Sequence, residues 1–211
     1  VEEWLLLGQL FEAAQQRSRR RATQLAELLF TLAVDDAIRN IAATFLEGRV
    51  TGWQAYARDL ALPAVITRET VADWTVQANG QSRTLVSQLV NTLDDRPELT
   101  RVFVDNYAKN VTDNTLWAGI DASGNELAVL AEVEFKTWVR SWPRREERDW
   151  HGDLEGVTIL VDELFTLPGG PNVGSQVYGP RDWDAVSDPG EHMNCGHALR
   201  FRRTVEGRDI L

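Results

Sequence analysis

The sequence predicts an α+β fold, with a helical N-terminal region over residues 1–120 and a small β-rich C-terminal module with long loops over residues 121–211. Three observations predict it. Apolar residues recur at three- and four-residue steps through the first half, and beyond residue 126 they alternate with mostly polar neighbours. Residues 166–194 then hold most of the glycine and proline of the second half.

In chain order, Leu25, Leu28, Leu29 and Leu32 share one helical face, and Ile38, Ile41, Ala42 and Phe45 continue the pattern. Gly48 is placed to stop that helix, with Arg49-Val50-Thr51-Gly52 as the turn. Trp53 to Leu60 reads as another helical stretch, broken before Pro63. Thr70 is placed to cap a turn that carries Val71 and Trp74. Leu85, Val86, Leu89, Val90 and Leu93 mark a further helix, ended by Asp94-Asp95-Arg96-Pro97, and Leu99, Val102, Phe103, Tyr107 and Val111 mark the next. The period changes at Asp121-Ala122-Ser123-Gly124-Asn125, which reads as a turn. Leu127, Val129, Ala131, Val133, Phe135, Thr137 and Val139 then follow strand spacing. Val157, Ile159 and Val161 give a second short strand, and Ala198 to Arg203 a last one, after a long loop or set of turns over 166–194 that adds no core element. Trp4, Leu5, Leu7, Leu10 and Phe11 are too apolar for an isolated first helix, so they complete a core or dock on another subunit.

Composition narrows the class. With 43% hydrophobic and 26% charged residues, the 211-residue chain is able to bury a core, and disorder over most of its length is excluded. No window holds the roughly 18 uninterrupted apolar residues that span a bilayer. Val1-Glu2-Glu3-Trp4 lacks the basic start of a secretory signal, so the expected setting is the cytosol or a particle. A single cysteine, Cys195, excludes a disulfide framework within the chain. The net charge of −10 speaks against a dedicated nucleic-acid coat. A local patch remains a candidate for weak, salt-dependent DNA contact: Arg17, Arg20 and Arg21 share a helical face with Arg19 alongside, and Arg200, Arg202 and Arg203 form a second cluster. A solvated face or an acidic protein partner is the plainer use of these arginines. Of the 22 basic residues only Lys109 and Lys136 are lysines.

His151, Cys195 and His197 are the candidate metal ligands, for zinc, with His192 or Asp153 as a fourth donor. The plainer reading has His151 hydrogen-bonded in a turn and Cys195 packed as a small apolar group. Asp153, Glu155, Asp162, Glu163 and Glu191 lie near His151 and His192 in sequence, which is the raw material for a metal-dependent hydrolase. The chain has no His-Glu-x-x-His, no nucleophile elbow and no phosphate-cradling glycine loop, so no catalytic residue is assigned and the expectation is a protein that is not an enzyme. Gly156 suits a positive φ and Asn194 a backbone-mimicking turn. Among eight tryptophans, Trp138 is expected in the core, and Trp183, beside Pro180-Arg181-Asp182, is a candidate contact.

The second half also carries a set of short motifs in a fixed order. Lys136-Thr137-Trp138 comes first, then Arg148-Asp149-Trp150-His151, Leu154-Glu155-Gly156, Asp162-Glu163-Leu164-Phe165, and finally Asn194-Cys195-Gly196-His197. This order resembles the C-terminal domain of Mu F-like phage head-morphogenesis proteins, whose pattern is Lys-x-Trp, Arg-x-x-His, Leu-Asp-Gly, an apolar strand ending in Phe, and Asn-Cys-Arg-Cys. The chain departs from it in Glu155 for Asp, Gly196 for Arg and His197 for the second Cys. The resemblance spans residues 100–205. It implies a minor head or capsid protein of a tailed bacteriophage, structural in role, acting in head morphogenesis at the portal or inner capsid and in genome packaging or delivery. The implied partners are the portal protein, the major capsid protein or both, together with other copies of the chain, and no membrane. The implied location is the virion head or portal vertex, and the host cytoplasm during assembly. No cofactor is implied, with zinc at the His/Cys set as the one exception. The rival readings are a metal-dependent hydrolase of a phage particle and a virion binding module outside the head.

Overall fold

Apolar stripes at helical spacing continue past residues that look like stops, and the first half forms four long helices. The computed structural model describes residues 2–96, 101–140, 149–180, 182, 185–186 and 196–202, with side chains from residue 12 onward. The helices are α1 (Glu2–Phe30), α2 (Val34–Asp59), α3 (Arg68–Asp95) and α4 (Arg101–Leu130). They are followed by β1 (Phe135–Arg140), the single turn α5 (Asp149–Gly152), β2 (Thr158–Leu160), β3 (Phe165–Thr166), β4 (Gln176–Val177) and β5 (His197–Arg202). The fold is α+β.

Several boundaries differ from those expected, each for a physical reason. Helix α2 passes through Gly48 and Gly52 and takes in the stretch from Trp53, because those glycines serve contact instead of termination. A Cβ on Gly48 would lie 2.1 Å from the Leu116 carbonyl oxygen, and one on Gly119 would lie 2.4 Å from that of Phe45, so α2 and α4 cross backbone against backbone. The cap of α3 is Thr67, not Thr70: its hydroxyl accepts the Thr70 backbone N–H at 3.1 Å. The turn carrying Trp74 and the helix marked by Leu85 to Leu93 are one helix, within which Gly80 faces open space.

Asp121 to Asn125 is not a turn. Helix α4 runs through it, with Ser123 fully buried. Nor does the strand begin near Leu127. Leu127, Ala128 and Ala131 are buried while Val129 and Leu130 are 76% and 64% exposed, which is helical periodicity. The turn at Ala131 and Glu132, where Val133 N–H donates to the Ala128 carbonyl, then leads into β1. Residues 166–194 also differ from expectation: their described part includes most of a β3–β4 hairpin, in which Phe165, Leu167 and Val177 are buried.

The chain divides into two compact units, Val1–Gln54 with Ala64–Ala122, and Ala55–Pro63 with Ser123–Leu211. In the first, Leu25, Leu29, Ile41, Val86, Leu89 and Val104 lie in one apolar cluster drawn from all four helices, and Phe45 packs in another with Ala42 and Ala78. Trp53 lies 5.5 Å from Trp74, and the Arg49 guanidinium covers the Trp74 ring at 4.4 Å. In the second, a three-stranded antiparallel sheet has the order β2-β1-β5, with Lys136 opposite Ile159 on one side and Phe201 on the other. The β3–β4 pair forms a separate two-stranded sheet. Arg200 on β5 donates two hydrogen bonds to the Asp59 carboxylate at 3.1 and 3.3 Å, and Phe201 meets Tyr56 edge-on at 5.8 Å. No helix among the described residues is long and apolar enough to cross a membrane.

The crossing of α2 and α4 leads to a contrast between glycines. Gly48→Ala or Gly119→Ala should lower stability in urea unfolding by at least about 2 kcal/mol, since backbone must move to admit the methyl group. Gly80→Ala should raise it by about 0.5–1 kcal/mol, through helix propensity alone. Equal effects at the three positions would refute the close crossing.

Candidate functional site

Side chains two apart on a strand share a face, so the Lys-x-Trp spacing places Lys136 and Trp138 together on β1, with Phe135 and Thr137 on the opposite face. All four are buried. The β3–β4 hairpin covers the Lys136–Trp138 face: the Phe165 ring stands 5.3 Å from Trp138, edge to face, and Lys136 Nζ lies 5.5 Å from the Phe165 centroid. Just after β4, Tyr178 presents its ring 3.3 Å from Lys136 Nζ. The Tyr178 backbone N–H donates to Asp182 Oδ2 at 2.7 Å, which fixes this residue in its turn.

Both described histidines of the motif set meet the same tryptophan. His151, on α5, lies 5.6 Å from Trp138, and His197, at the start of β5, lies 5.9 Å from it; the two imidazoles are 5.9 Å apart. Trp150 packs on His151 at 6.2 Å and also supports the turn Pro168-Gly169-Gly170-Pro171, where a Cβ on Gly170 would lie 2.5 Å from the indole. Glu155 Oε1 accepts from Arg140 Nε at 2.6 Å and pairs with His197 Nε2 at 2.8 Å. Burial works against the charge on Glu155, but the hydrogen bonds from Arg140 and His197 outweigh it and hold the carboxyl below its ordinary range. Gly156 has φ +84° and donates its N–H to the Trp138 carbonyl at 2.8 Å, while Trp138 N–H donates to the Val157 carbonyl at 3.0 Å.

Seven residues of the ordered motifs therefore meet: Lys136, Trp138, His151, Glu155, Gly156, Phe165 and His197. Asn194, Cys195, His192, Arg148 and Trp183 lie outside the described residues. Of the three candidate zinc ligands, His151 and His197 are brought side by side. Among the described residues no group of three His, Cys, Asp or Glu side chains is placed to hold a metal ion, and Asp153 is exposed. The cluster is closed, with Lys136, Trp138, His151 and His197 each no more than 3% exposed.

Sequence reasoning took Lys136 only as a letter in a motif, and its chemistry comes from the fold. Burial pushes its amine down from 10.5 to about 8, opposed in part by Asp162, Asp182 and Glu163. Both Lys136 Nζ and Trp138 Nε1 are buried without a hydrogen-bond partner among the described residues. An unsatisfied buried donor costs roughly 1–3 kcal/mol, and a cation on an aromatic face returns about 1–2 kcal/mol. The face is therefore held together by its rings.

The arginine patch is differently placed. Arg17 and Arg21 both reach the carboxylate of Glu47 on α2, while Arg19 and Arg20 are exposed. Compared with known proteins, the chain matches no family model, no curated protein and no solved structure. Fold and site together define an α+β chain with a closed cluster of motif side chains in its second unit.

The Glu155 pairs carry a pH prediction. Because the folded carboxyl titrates below its unfolded value, its stabilisation is present above the unfolded range and is lost as pH falls through the folded value. Glu155→Gln should cost about 1 kcal/mol at pH 7, discounted for the partial exposure of the group, and should flatten the loss of stability between roughly pH 5 and pH 3. An unaltered acid limb in denaturation measurements would show that these pairs do not stabilise the fold.

Proposed function

We propose that this chain is a minor head-morphogenesis protein of a tailed bacteriophage, acting through interfaces at the portal vertex or inner capsid instead of through covalent chemistry. The observation that carries this reading is the ordered series from Lys136-Thr137-Trp138 to Asn194-Cys195-Gly196-His197, five short motifs in the sequence of the Mu F-like pattern. The roles of the described motif residues support it. Gly156 bends the chain and ties it to Trp138, Glu155 joins the ends of β1 and β5 through Arg140 and His197, and Phe165 seals the sheet. Polar groups satisfied in this way specify a fold.

The helical unit supplies surface for assembly. Phe30, Leu32 and Val34, at the α1–α2 connection, are 56%, 65% and 40% exposed, and Leu28, Leu29, Leu89 and Leu93 lie beside Leu32 and Val34. Contiguous exposed apolar side chains of this kind mark protein contact. With Arg17 and Arg21 engaged by Glu47, DNA is a secondary contact in this reading.

The test is co-purification together with particle analysis. The chain should be retained by portal oligomers and should be present at low copy in purified heads. Its absence from virions, or retention only by tail components or host surface, would sink the proposal.

A further inference from the structure

The β3–β4 hairpin shares no strand pairing with the three-stranded sheet among the described residues; it is a sheet of its own. What holds it over β1 is side-chain contact: Phe165 on Trp138, Lys136 between Phe165 and Tyr178, and the Pro168–Pro171 turn on Trp150. Beneath it lie two buried donors, Lys136 Nζ and Trp138 Nε1, with no hydrogen-bond partner among the described residues. With the hairpin closed neither donor has an acceptor among the described residues, and water entering beneath it would hydrate the Lys136 amine.

We propose that the β3–β4 hairpin, with Tyr178, is a flap over β1 whose closure is governed by the charge on Lys136, opening to water more readily when the amine is protonated than when it is neutral. The charged groups that face the amine come from both ends of the flap: Asp162 and Glu163 precede β3, Asp182 follows Tyr178, and none lies within ion-pair distance of Nζ among the described residues. They favour the ammonium but do not replace its hydration. Opening restores that hydration, whereas a neutral amine between two rings has little to gain from it.

The direction with pH follows. The closed flap lowers the Lys136 amine to about 8, against 10.5 for the hydrated group, so closing releases a proton between those values. Rising pH therefore favours closure, and the opening constant should fall about tenfold between pH 7 and pH 9.

Amide hydrogen exchange on the full chain, corrected for intrinsic rates, reads this directly. An isolated two-stranded hairpin is marginal in water, so once released from β1 it frays: Leu167 N–H to the Ser175 carbonyl and Gly174 N–H to the Leu167 carbonyl then report the flap, and Glu134 N–H to the Arg202 carbonyl reports the sheet. Flap amides should be less protected than the sheet amide at pH 7, and their protection should rise about tenfold by pH 9. In Lys136→Met it should be high and independent of pH; in Lys136→Arg, low and independent of pH. Wild-type protection that stays flat with pH, or flap and sheet amides that exchange as one unit, would overturn the proposal even if neither variant folds. A rise retained in Lys136→Met would overturn it as well.

Discussion

A strand buried on both faces must be covered on each, and β1 meets that constraint by unlike means. On its Phe135–Thr137 face the Thr137 hydroxyl meets that of its cross-strand neighbour Thr158 at 2.8 Å. Its other face depends on Trp138, whose backbone is bonded to Val157 and Gly156 and whose ring meets Phe165, His151 and His197. Gly156 and Val157 share one turn, and the three rings come from three further segments. Without the indole, α5, the turn at Gly156, the hairpin and the start of β5 would lose their common neighbour. Motifs scattered over some sixty residues are in this sense one packing unit.

The helical unit answers a different constraint. Two helices can approach to backbone contact only where neither carries a side chain, and Gly48 and Gly119 supply that surface. Beside this approach Phe45 of α2 packs against Ala42 and Ala78, and the Arg49 cation lies on Trp74. A buried arginine is tolerable here because a ring face replaces part of its hydration.

The same glycines explain what could be read from the sequence and what could not. The α+β order and β5 were legible because apolar spacing there coincides with burial, whereas the break at Leu32 (φ 54°) that separates α1 from α2 interrupts a stripe that reads as continuous. Gly48-x-x-x-Gly52 and Ser123-Gly124 were misread because small residues carry two meanings, turn and close contact, and only the partner helix distinguishes them. Leu127, Val129 and Ala131 alternate in sequence, yet burial selects Leu127, Ala128 and Ala131, a choice that depends on what lies against α4. In the site, the motif order names residues that the fold brings together, but not their chemistry. The state of Lys136 is set by Phe165 and Tyr178, about thirty and forty positions away, and no local pattern encodes that distance.

Charge gives the last step. The chain carries ten more acidic than basic groups, and several of its arginines are already directed at its own carboxylates: Arg17 and Arg21 at Glu47, Arg101 at Glu27 and Asp105, Arg140 at Glu155, Arg200 at Asp59. A cation held in this way must exchange one anion for another to bind phosphate, and that exchange returns little free energy in water. A net-acidic surface on which these arginines are already paired repels a polyanion at long range and favours short-range apolar contact as the force for association. Exposed Phe30, Leu32 and Val34 are suited to such contact, so a partner docking there would be recognised by shape and apolar area, and its affinity would depend only weakly on salt.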